Sequence, residues 1–181
     1  MPKSLCLVMI VKNEASIIEQ CLDCMIAHLS HWVICDTGST DGTQTIIRKY
    51  FDTHNIPGKL CEHEWENFGH NRTRAFEAAH TYVRHVYKQE KQLSDVYYLV
   101  MDADNHLKGD LTAHFRLRSD RLESYDIQAR QGNYHYAQNL LFSANRQWKY
   151  VGVLHEYPAP ADDLGEASKG DVDSGHCHIV Y

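Results

Sequence analysis

The stretch YLVMDADNHL (Tyr98–Leu107) is an apolar run that ends in two aspartates one residue apart. The apolar segment Val96–Met101 has the length and composition of a buried β-strand. Side chains at positions i and i+2 of a strand lie on the same face. Asp102 and Asp104 are therefore predicted to place two carboxylates at the end of one strand, where they repel each other unless something compensates their charge.

Strand and helix patterns alternate before this stretch. Strands are predicted at Leu5–Val11, Trp32–Cys35 and Leu60–Trp65, and helices at Ala15–Leu29 (capped by Asn13), from the turn Asp36–Thr43 to about Phe51, and at Arg72–Tyr87. Strands separated by helices of this length form right-handed βαβ units and a mainly parallel sheet. Such a sheet binds ligands at the carboxyl ends of its strands, so Asp36 and Asp102 are expected on the same edge.

The chain changes character after Leu107. Further strands are predicted at Tyr125–Arg130, Tyr134–Phe142 and Gln147–Tyr157, and a loop is predicted at Pro158–Asp173. A QGN turn separates the first two strands, which indicates a hairpin. The sequence therefore predicts an α/β fold in a single domain, residues 1–181, with a mainly parallel sheet flanked by helices (about 1–107) and a small mixed β lobe (about 108–181).

Charge, hydropathy and cysteine usage limit the partners and the compartment. The chain carries 24 acidic and 18 basic residues, a net charge of −6, which argues against nucleic acid as a partner. No apolar run reaches the roughly 18 residues of a transmembrane segment, and Leu5–Val11 runs directly into Lys-Asn-Glu, which favours a strand over a signal peptide. Cys21 and Cys24 lie in a helical pattern without a second cysteine pair, so we expect structural thiols in a soluble protein of the reducing cytoplasm.

The Asp102-Ala-Asp104 motif has the ligand chemistry of a hard cation. Two carboxylates at a strand end can bind Mn2+ or Mg2+, directly or through water. A cation with few protein ligands keeps open coordination positions, which a diphosphate commonly fills. The alternative is a pair of solvated turn aspartates, with Asp102 capping the segment that follows.

The stretch CDTGSTDGT (Cys35–Thr43) has the composition of a tight turn whose backbone approaches a ligand closely. The carboxylate of Asp36 can accept a hydrogen bond from a base or ribose donor. The alternative is a helix entry capped by Ser39 or Thr40, and both interpretations can hold together. The stretch contains neither the dinucleotide-binding glycine fingerprint nor a P-loop.

Two other stretches place charged groups at the ends of predicted elements. NFGHNRTRAF puts Arg72 and Arg74 at the start of a helix, where positive charge opposes the helix dipole, so one of them is predicted to pair with an anion. VGVLHEY ends a strand with His155, which can ligate a metal or donate to a phosphate, and with Glu156, which can act as a base. The alternatives are a solvated helix face and an ordinary surface strand end.

Five stretches together resemble the nucleotide-sugar-dependent glycosyltransferases of family 2, which have the GT-A fold. They are LCLVMIVKNEASIIEQCL (Leu5–Leu22), VICDTGSTDGTQTII (Val33–Ile47), WENFGHNRTRAF (Trp65–Phe76), YYLVMDADNHL (Tyr97–Leu107) and WKYVGVLHEY (Trp148–Tyr157). The resemblance implies a UDP-sugar donor, manganese or magnesium (Mn2+ or Mg2+) as cofactor, and transfer with inversion. The acceptor would be a glycan, a protein or a lipid, bound by the half that follows the nucleotide-sugar half.

The resemblance also implies roles for individual residues on the nucleotide side. Val11, Asn13 and Glu14 would line the nucleotide pocket. Asp36 is similar to the aspartate that hydrogen-bonds the nucleobase, usually uracil, and Arg72 takes the place of an arginine near the nucleotide.

The remaining roles concern the metal and the donor. Asp102 and Ala103 would contact the donor as part of the metal-binding Asp-x-Asp motif, in which Asp102 and Asp104 are metal ligands and Asp104 is the direct one. His155 resembles a distal residue that meets the metal or the diphosphate.

The acceptor half departs from the common family pattern because it contains no clear Glu-Asp motif for the catalytic base. Glu156 is the predicted base, and Asp126 and Asp120 are its rivals. Two other functions remain open. A sugar-1-phosphate nucleotidyltransferase requires an early Gly-rich, basic signature, which VKNEAS is not, and a catalytically degenerate GT-A domain would bind a nucleotide or a partner without turnover.

Overall fold

The computed structural model describes residues 3–88, 93–111, 115, 119–152, 155–172 and 177–181. Its helices are α1 (Ile18–Asp23), α2 (Thr43–His54) and α3 (Phe68–Val86), with a short 3-10 helix at Ile26–His28. Its strands are β1 (Ser4–Val11), β2 (His31–Asp36), β3 (Gly58–Glu62), β4 (Val96–Val100), β5 (His106–Gly109), β6 (Ser124–Gln131), β7 (Tyr134–Ser143), β8 (Trp148–Val151), β9 (Tyr157–Pro160), β10 (Lys169–Asp171) and β11 (Cys177–Val180). None of the helices in these ranges is long and apolar enough to cross a membrane.

Nine of the described strands form one sheet, in the order β3-β2-β1-β4-β7-β6-β11-β5, with β10 paired to β6. Strands β3, β2, β1 and β4 are parallel. Strand β7 runs antiparallel to both β4 and β6 and so joins the two halves of the chain. Strands β8 and β9 form a separate antiparallel pair. The predicted α/β fold is confirmed, and the second half of the chain extends the main sheet as well as adding this small pair.

The parallel strands β1, β2 and β4 are buried on both faces, as expected for strands that alternate with helices, whereas the edge strand β3 is only partly buried. Successive side chains of β1 enter two different apolar clusters. Leu5 and Leu7 pack in the larger cluster, together with residues of α1 and α2. Cys6 and Val8 pack in the smaller cluster, against residues of α3. This burial fixes the register of β1 and therefore the position of the residues that follow it.

The first helix is shorter than the periodicity predicts. A helix was expected over Ala15–Leu29, but α1 covers Ile18–Asp23 and a 3-10 turn follows it. The Cys24 thiol donates to the carbonyl oxygen of Cys21 and accepts a hydrogen bond from the backbone N–H of Leu107. This contact across 83 residues ties the end of α1 to β5, and the periodicity of the local sequence gives no sign of it.

The predicted capping role of Asn13 is also wrong. Its side-chain oxygen accepts a hydrogen bond from the Thr40 N–H at 2.8 Å, and its own N–H donates to the Ser39 hydroxyl oxygen at 2.8 Å. Its backbone has a φ of 58°, in the left-handed region that asparagine tolerates better than most residues. Asn13 thus ties the loop after β1 to the loop after β2.

The hairpin of the second half is confirmed as β6 and β7, but the predicted strand Gln147–Tyr157 is wrong as a single element. Strand β8 ends at Val151, and β9 begins at Tyr157 and pairs back antiparallel to it. The predicted loop Pro158–Asp173 contains most of β9 and all of β10, while residue 173 lies outside the described residues. Strand β10 depends on a partner that is distant in sequence, because it pairs with β6.

Candidate active site

A cleft of about 820 Å³ opens at the carboxyl ends of β1 and β4. Its walls contain every residue to which the family resemblance assigned a role, except Asn13 and Asp36, and they contain the predicted base Glu156. The residues that line it are Ile10, Val11, Lys12, Glu14, Thr37, Trp65, Phe68, Arg72, Asp102, Ala103, Asp104, His155 and Glu156. The parallel topology therefore collects side chains from segments that are far apart in the sequence.

Arg72 lies at the centre of the charged wall. Helix α3 begins at Phe68, with Asn67 accepting a hydrogen bond from the His70 N–H at 2.8 Å, so Arg72 is in the second turn and not at the predicted helix start. The helix dipole therefore does not explain the pairing, although Arg72 does pair with anions as predicted. Arg74 pairs with the exposed Glu77 at 3.0 Å.

Arg72 holds two carboxylates at once. Its terminal nitrogens lie 2.9 Å from the two oxygens of Asp102, and its Nε lies 3.4 Å from Oε1 of Glu156. Burial alone would lower the pKa of the guanidinium, but attraction to Asp102, Tyr150 and Glu156 raises it above its ordinary value. The guanidinium also lies over the rings of Phe68 and Tyr150, at 5.8 Å and 5.7 Å from their centres. Arg72 is therefore a permanent, fixed cation.

Asp104 is exposed to the cleft and is oriented by its neighbour. The buried side chain of Asn105 donates to Oδ1 of Asp104 at 3.2 Å and accepts from the backbone N–H of Asp102 at 3.0 Å. Burial, together with the nearby carboxylates of Asp104, Asp41 and Asp102, raises the pKa of Glu14. This wall therefore concentrates negative charge, and its oxygen-rich donor set fits a hard divalent cation.

Asp36 lies beside the cleft, next to Thr37, which lines it. Its Oδ1 accepts hydrogen bonds from the N–H groups of Gly38 and Ser39 and from the amide of Gln44, at 2.9–3.0 Å. Its Oδ2 is buried and has no hydrogen-bond partner among the described residues. Burying a carboxylate oxygen without a hydrogen-bond partner costs free energy. This oxygen is therefore suited to accept a hydrogen bond from a ligand.

Two aromatic residues on the cleft wall were not assigned a role from the sequence. Trp65 is 41% exposed and Phe68 is 50% exposed, and their rings meet edge to face with centroids 4.8 Å apart. The signal was present in the stretch WENF, where two aromatic residues flank the cap of α3. Exposed aromatic faces in a cleft are suited to contact a flat or apolar part of a ligand.

The structure distinguishes the position of Glu156 from those of its rivals. Glu156 lies in the cleft wall beside His155, whose φ of 56° is in the left-handed region. Asp126 accepts from the amide of Asn139 at 2.9 Å and pairs with Lys169 at 2.8 Å. Asp120 accepts from the Tyr125 hydroxyl at 3.1 Å. Neither rival is among the residues that line the cleft.

The mixed α/β sheet, with an acidic cleft at the carboxyl ends of its parallel strands, is the architecture expected of a GT-A domain. The family model described as glycosyl transferase family 2 matches residues 6–112, more than half of the chain. The chain therefore belongs to glycosyl transferase family 2, as its motifs predicted.

Two solved structures of TarS from S. aureus are similar to this chain. One of them contains residues 1–349 of TarS. Both structures are 18% identical to this chain, superpose on it with a TM-score of 0.49, and cover 72% of it. The chain spans 37% of the shorter TarS structure and 22% of the longer one. No curated protein matches the chain.

Proposed function

We propose that this domain binds a UDP-sugar together with Mn2+ or Mg2+ and transfers the sugar, with inversion, to a glycan, protein or lipid acceptor. The observation that carries the proposal is that the two aspartates of the Asp-x-Asp motif have different surroundings. Arg72 occupies both carboxylate oxygens of Asp102, whereas Asp104 is exposed in the cleft and forms no ion pair within the described part of the chain. Asp104 is therefore the carboxylate available to a cation.

Some residues of the cleft would bind the metal, and others would bind the donor. Asp104 would bind the cation, Asp102 would contribute through water, and His155 would complete the ligands or donate to the diphosphate. When bound, the cation supplies positive charge that stabilises the diphosphate leaving group. The buried Oδ2 of Asp36 would accept a hydrogen bond from the N–H of uracil. Family membership favours this activity over that of a sugar-1-phosphate nucleotidyltransferase.

Glu156 is the proposed catalytic base. Inversion by direct displacement requires a group that removes a proton from the acceptor hydroxyl as the bond to the sugar forms. Glu156 lines the cleft, and its contact with Arg72 holds the carboxylate in one position. Its side chain is 18% exposed, so an acceptor approaching from the open side can reach it.

The same ion pair favours a second candidate function, binding of a nucleotide without turnover. A carboxylate that stays in contact with a guanidinium is not free to take a proton from an acceptor hydroxyl. If Glu156 remains bound to Arg72 when an acceptor is present, the domain would bind a donor and leave it intact.

Binding and turnover can be tested separately. UDP with Mn2+ is expected to raise the melting temperature of the wild type and of Asp52→Ala, a control at an exposed acid of α2, but not of Asp104→Ala. No shift with any nucleoside diphosphate would overturn the donor assignment. Release of UDP from a UDP-sugar would support the transferase, and binding without release would support the second candidate. Product formed from UTP and a sugar phosphate would indicate a nucleotidyltransferase.

A further inference from the structure

Three potential metal ligands lie together at the carboxyl ends of β2 and β3. Cys35 and Cys61 are directly opposite each other in the register of these parallel strands. His63 follows β3, and its backbone N–H donates to the carbonyl oxygen of Asp36 at 2.9 Å. One ligand atom from each of Cys35, Cys61 and His63 lies within 4.8 Å of the other two.

The histidine of this cluster has a polar atom without a partner. Nε2 of His63 is buried and has no hydrogen bond to any residue that the structure describes. Leaving a buried ring nitrogen unpaired costs free energy, so an additional group at this position would stabilise the fold. Cys35 is fully buried, and Cys61 and His63 are half-buried.

The cluster opens into a cavity of its own. Cys61 and His63 line a second cleft of about 500 Å³, which shares no lining residue with the candidate active site. Helix α3 contributes Arg74 and Glu77 to this cleft, and these two side chains pair with each other at 3.0 Å. An ion could therefore enter from solvent and keep one coordination position toward the cavity.

We propose that Cys35, Cys61 and His63 form a zinc site. Two thiolates and one imidazole are common zinc ligands, and their two negative charges balance the charge of Zn2+. Bonds of about 2.3 Å in a tetrahedral arrangement would hold the two sulfur atoms about 3.8 Å apart, which a small adjustment of these side chains provides. The soft sulfur ligands exclude Mg2+ and disfavour Mn2+, so this site is chemically distinct from the one at Asp104.

Zinc binds these ligands in their deprotonated forms. A neutral imidazole offers a lone pair to the ion, and each thiol must lose its proton. Zinc deprotonates the thiols that coordinate it, because the cation stabilises the thiolate.

The proposal is tested with the purified chain after removal of metals by a chelator. We expect one thiolate-bound Co2+ per chain, counted from the absorption typical of thiolate-to-cobalt charge transfer, and its displacement by Zn2+. Cys61→Ser and His63→Ala are expected to weaken binding more than about 100-fold, beyond the loss caused by changing a supporting residue. Cys24→Ser, another half-buried cysteine, and His85→Ala, which lines the same cavity, are matched controls that should bind like the wild type.

A second readout separates loss of the site from loss of the fold. Zn2+ should raise the melting temperature of the wild type and of both controls. It should not change the melting temperature of Cys61→Ser or His63→Ala, while native circular dichroism spectra show that these two variants are folded. Absence of the cobalt–thiolate absorption, or equal binding by all variants, would overturn the proposal and indicate an adventitious ion only. A Cys35–Cys61 disulfide, detected by mass after alkylation of the untreated protein, would overturn it as well.

Discussion

Arg72 and Asp102 form a two-point ion pair, in which each terminal nitrogen of the guanidinium lies 2.9 Å from a different carboxylate oxygen. Because the Nε of the same side chain contacts Glu156, Arg72 connects the proposed metal-binding motif to the proposed base. One residue on α3 therefore sets the distance between the carboxylates of Asp102 and Glu156.

Replacing Arg72 is expected to destabilise the fold. Arg72→Met leaves Asp102 and Glu156 without their common partner, and we expect the free energy of unfolding to fall by about 1–3 kcal/mol. Arg74→Met is the matched control, since its partner Glu77 is exposed, and it should change stability by less than about 0.5 kcal/mol. Urea unfolding measures both values, and equal losses in the two variants would contradict the central role of Arg72.

Glu156→Gln separates binding from catalysis. The amide keeps the size of the side chain but cannot accept a proton, so transfer should slow by about 10²–10⁴-fold. The thermal shift with UDP and Mn2+ should persist, because the donor residues are unchanged. Asp126→Asn is the control, since Asp126 lies outside the cleft lining. Undiminished transfer by Glu156→Gln would show that another group is the base.

Asn105 is expected to act on metal affinity through Asp104. Asn105→Ala removes the hydrogen bond that orients the Asp104 carboxylate, and residues in such supporting positions typically change metal affinity by about 10–100-fold. The measurement is the Mn2+ concentration needed for the half-maximal thermal shift with UDP. Asn145→Ala, at an exposed position, should leave that concentration unchanged. A normal Mn2+ requirement in folded Asn105→Ala would contradict the positioning role.

Trp65 and Phe68 are expected to affect ligand binding more than stability. Both are exposed on the cleft wall, so Trp65→Ala and Phe68→Ala should lower the free energy of unfolding by no more than about 1 kcal/mol, the size of the contact between the two rings and of that between Phe68 and Arg72. Loss of an aromatic platform for a base or sugar should weaken binding by about 1–3 kcal/mol, measured by titration calorimetry with UDP. Tyr134→Ala, 78% exposed and outside the cleft, is the control. Unchanged affinity in both cleft variants would show that neither ring contacts the nucleotide.

Stability is expected to depend on pH through His31. Burial lowers the pKa of this imidazole below 6.5, and its ring nitrogens contact the hydroxyls of Tyr87 and Tyr82 at 3.1 Å and 3.4 Å. Below pH 6.5 the unfolded chain therefore binds more protons than the folded chain, so the free energy of unfolding falls as the pH decreases. In the presence of a chelator, His31→Gln should show a weaker dependence of the free energy of unfolding on pH than the wild type. The same substitution at the exposed His85 should leave this dependence unchanged. An unchanged slope in His31→Gln would contradict the assignment.

The features that depend on local sequence pattern were predictable. The strand before Asp102 was visible as a short apolar run, and the polar residues that follow such strands must meet at one edge of a parallel sheet. The hairpin of β6 and β7 was predictable because its turn has a characteristic composition. The first of these signals located most of the cleft wall, whereas the hairpin contributes no residue to it.

The features that depend on contacts between distant residues were not predictable. The break after α1 depends on the bond from Leu107 to Cys24, and the cluster of Cys35, Cys61 and His63 depends on the register between β2 and β3. Neither contact produces a repeating pattern of residues that could be recognised in a single sequence. Trp65 was overlooked for a different reason, since an aromatic residue in a polar stretch is compatible with many surface roles.

The antiparallel pairing of β7 with β4 has a consequence for engineering. Strand β4 lies between β1 of the first half and β7 of the second, so a cut after Leu107 would expose an apolar strand edge to other chains and promote aggregation. The two halves are therefore not interchangeable modules. A chimaera that takes its acceptor side from another transferase must also supply a strand that matches β4 in length, direction and side-chain alternation.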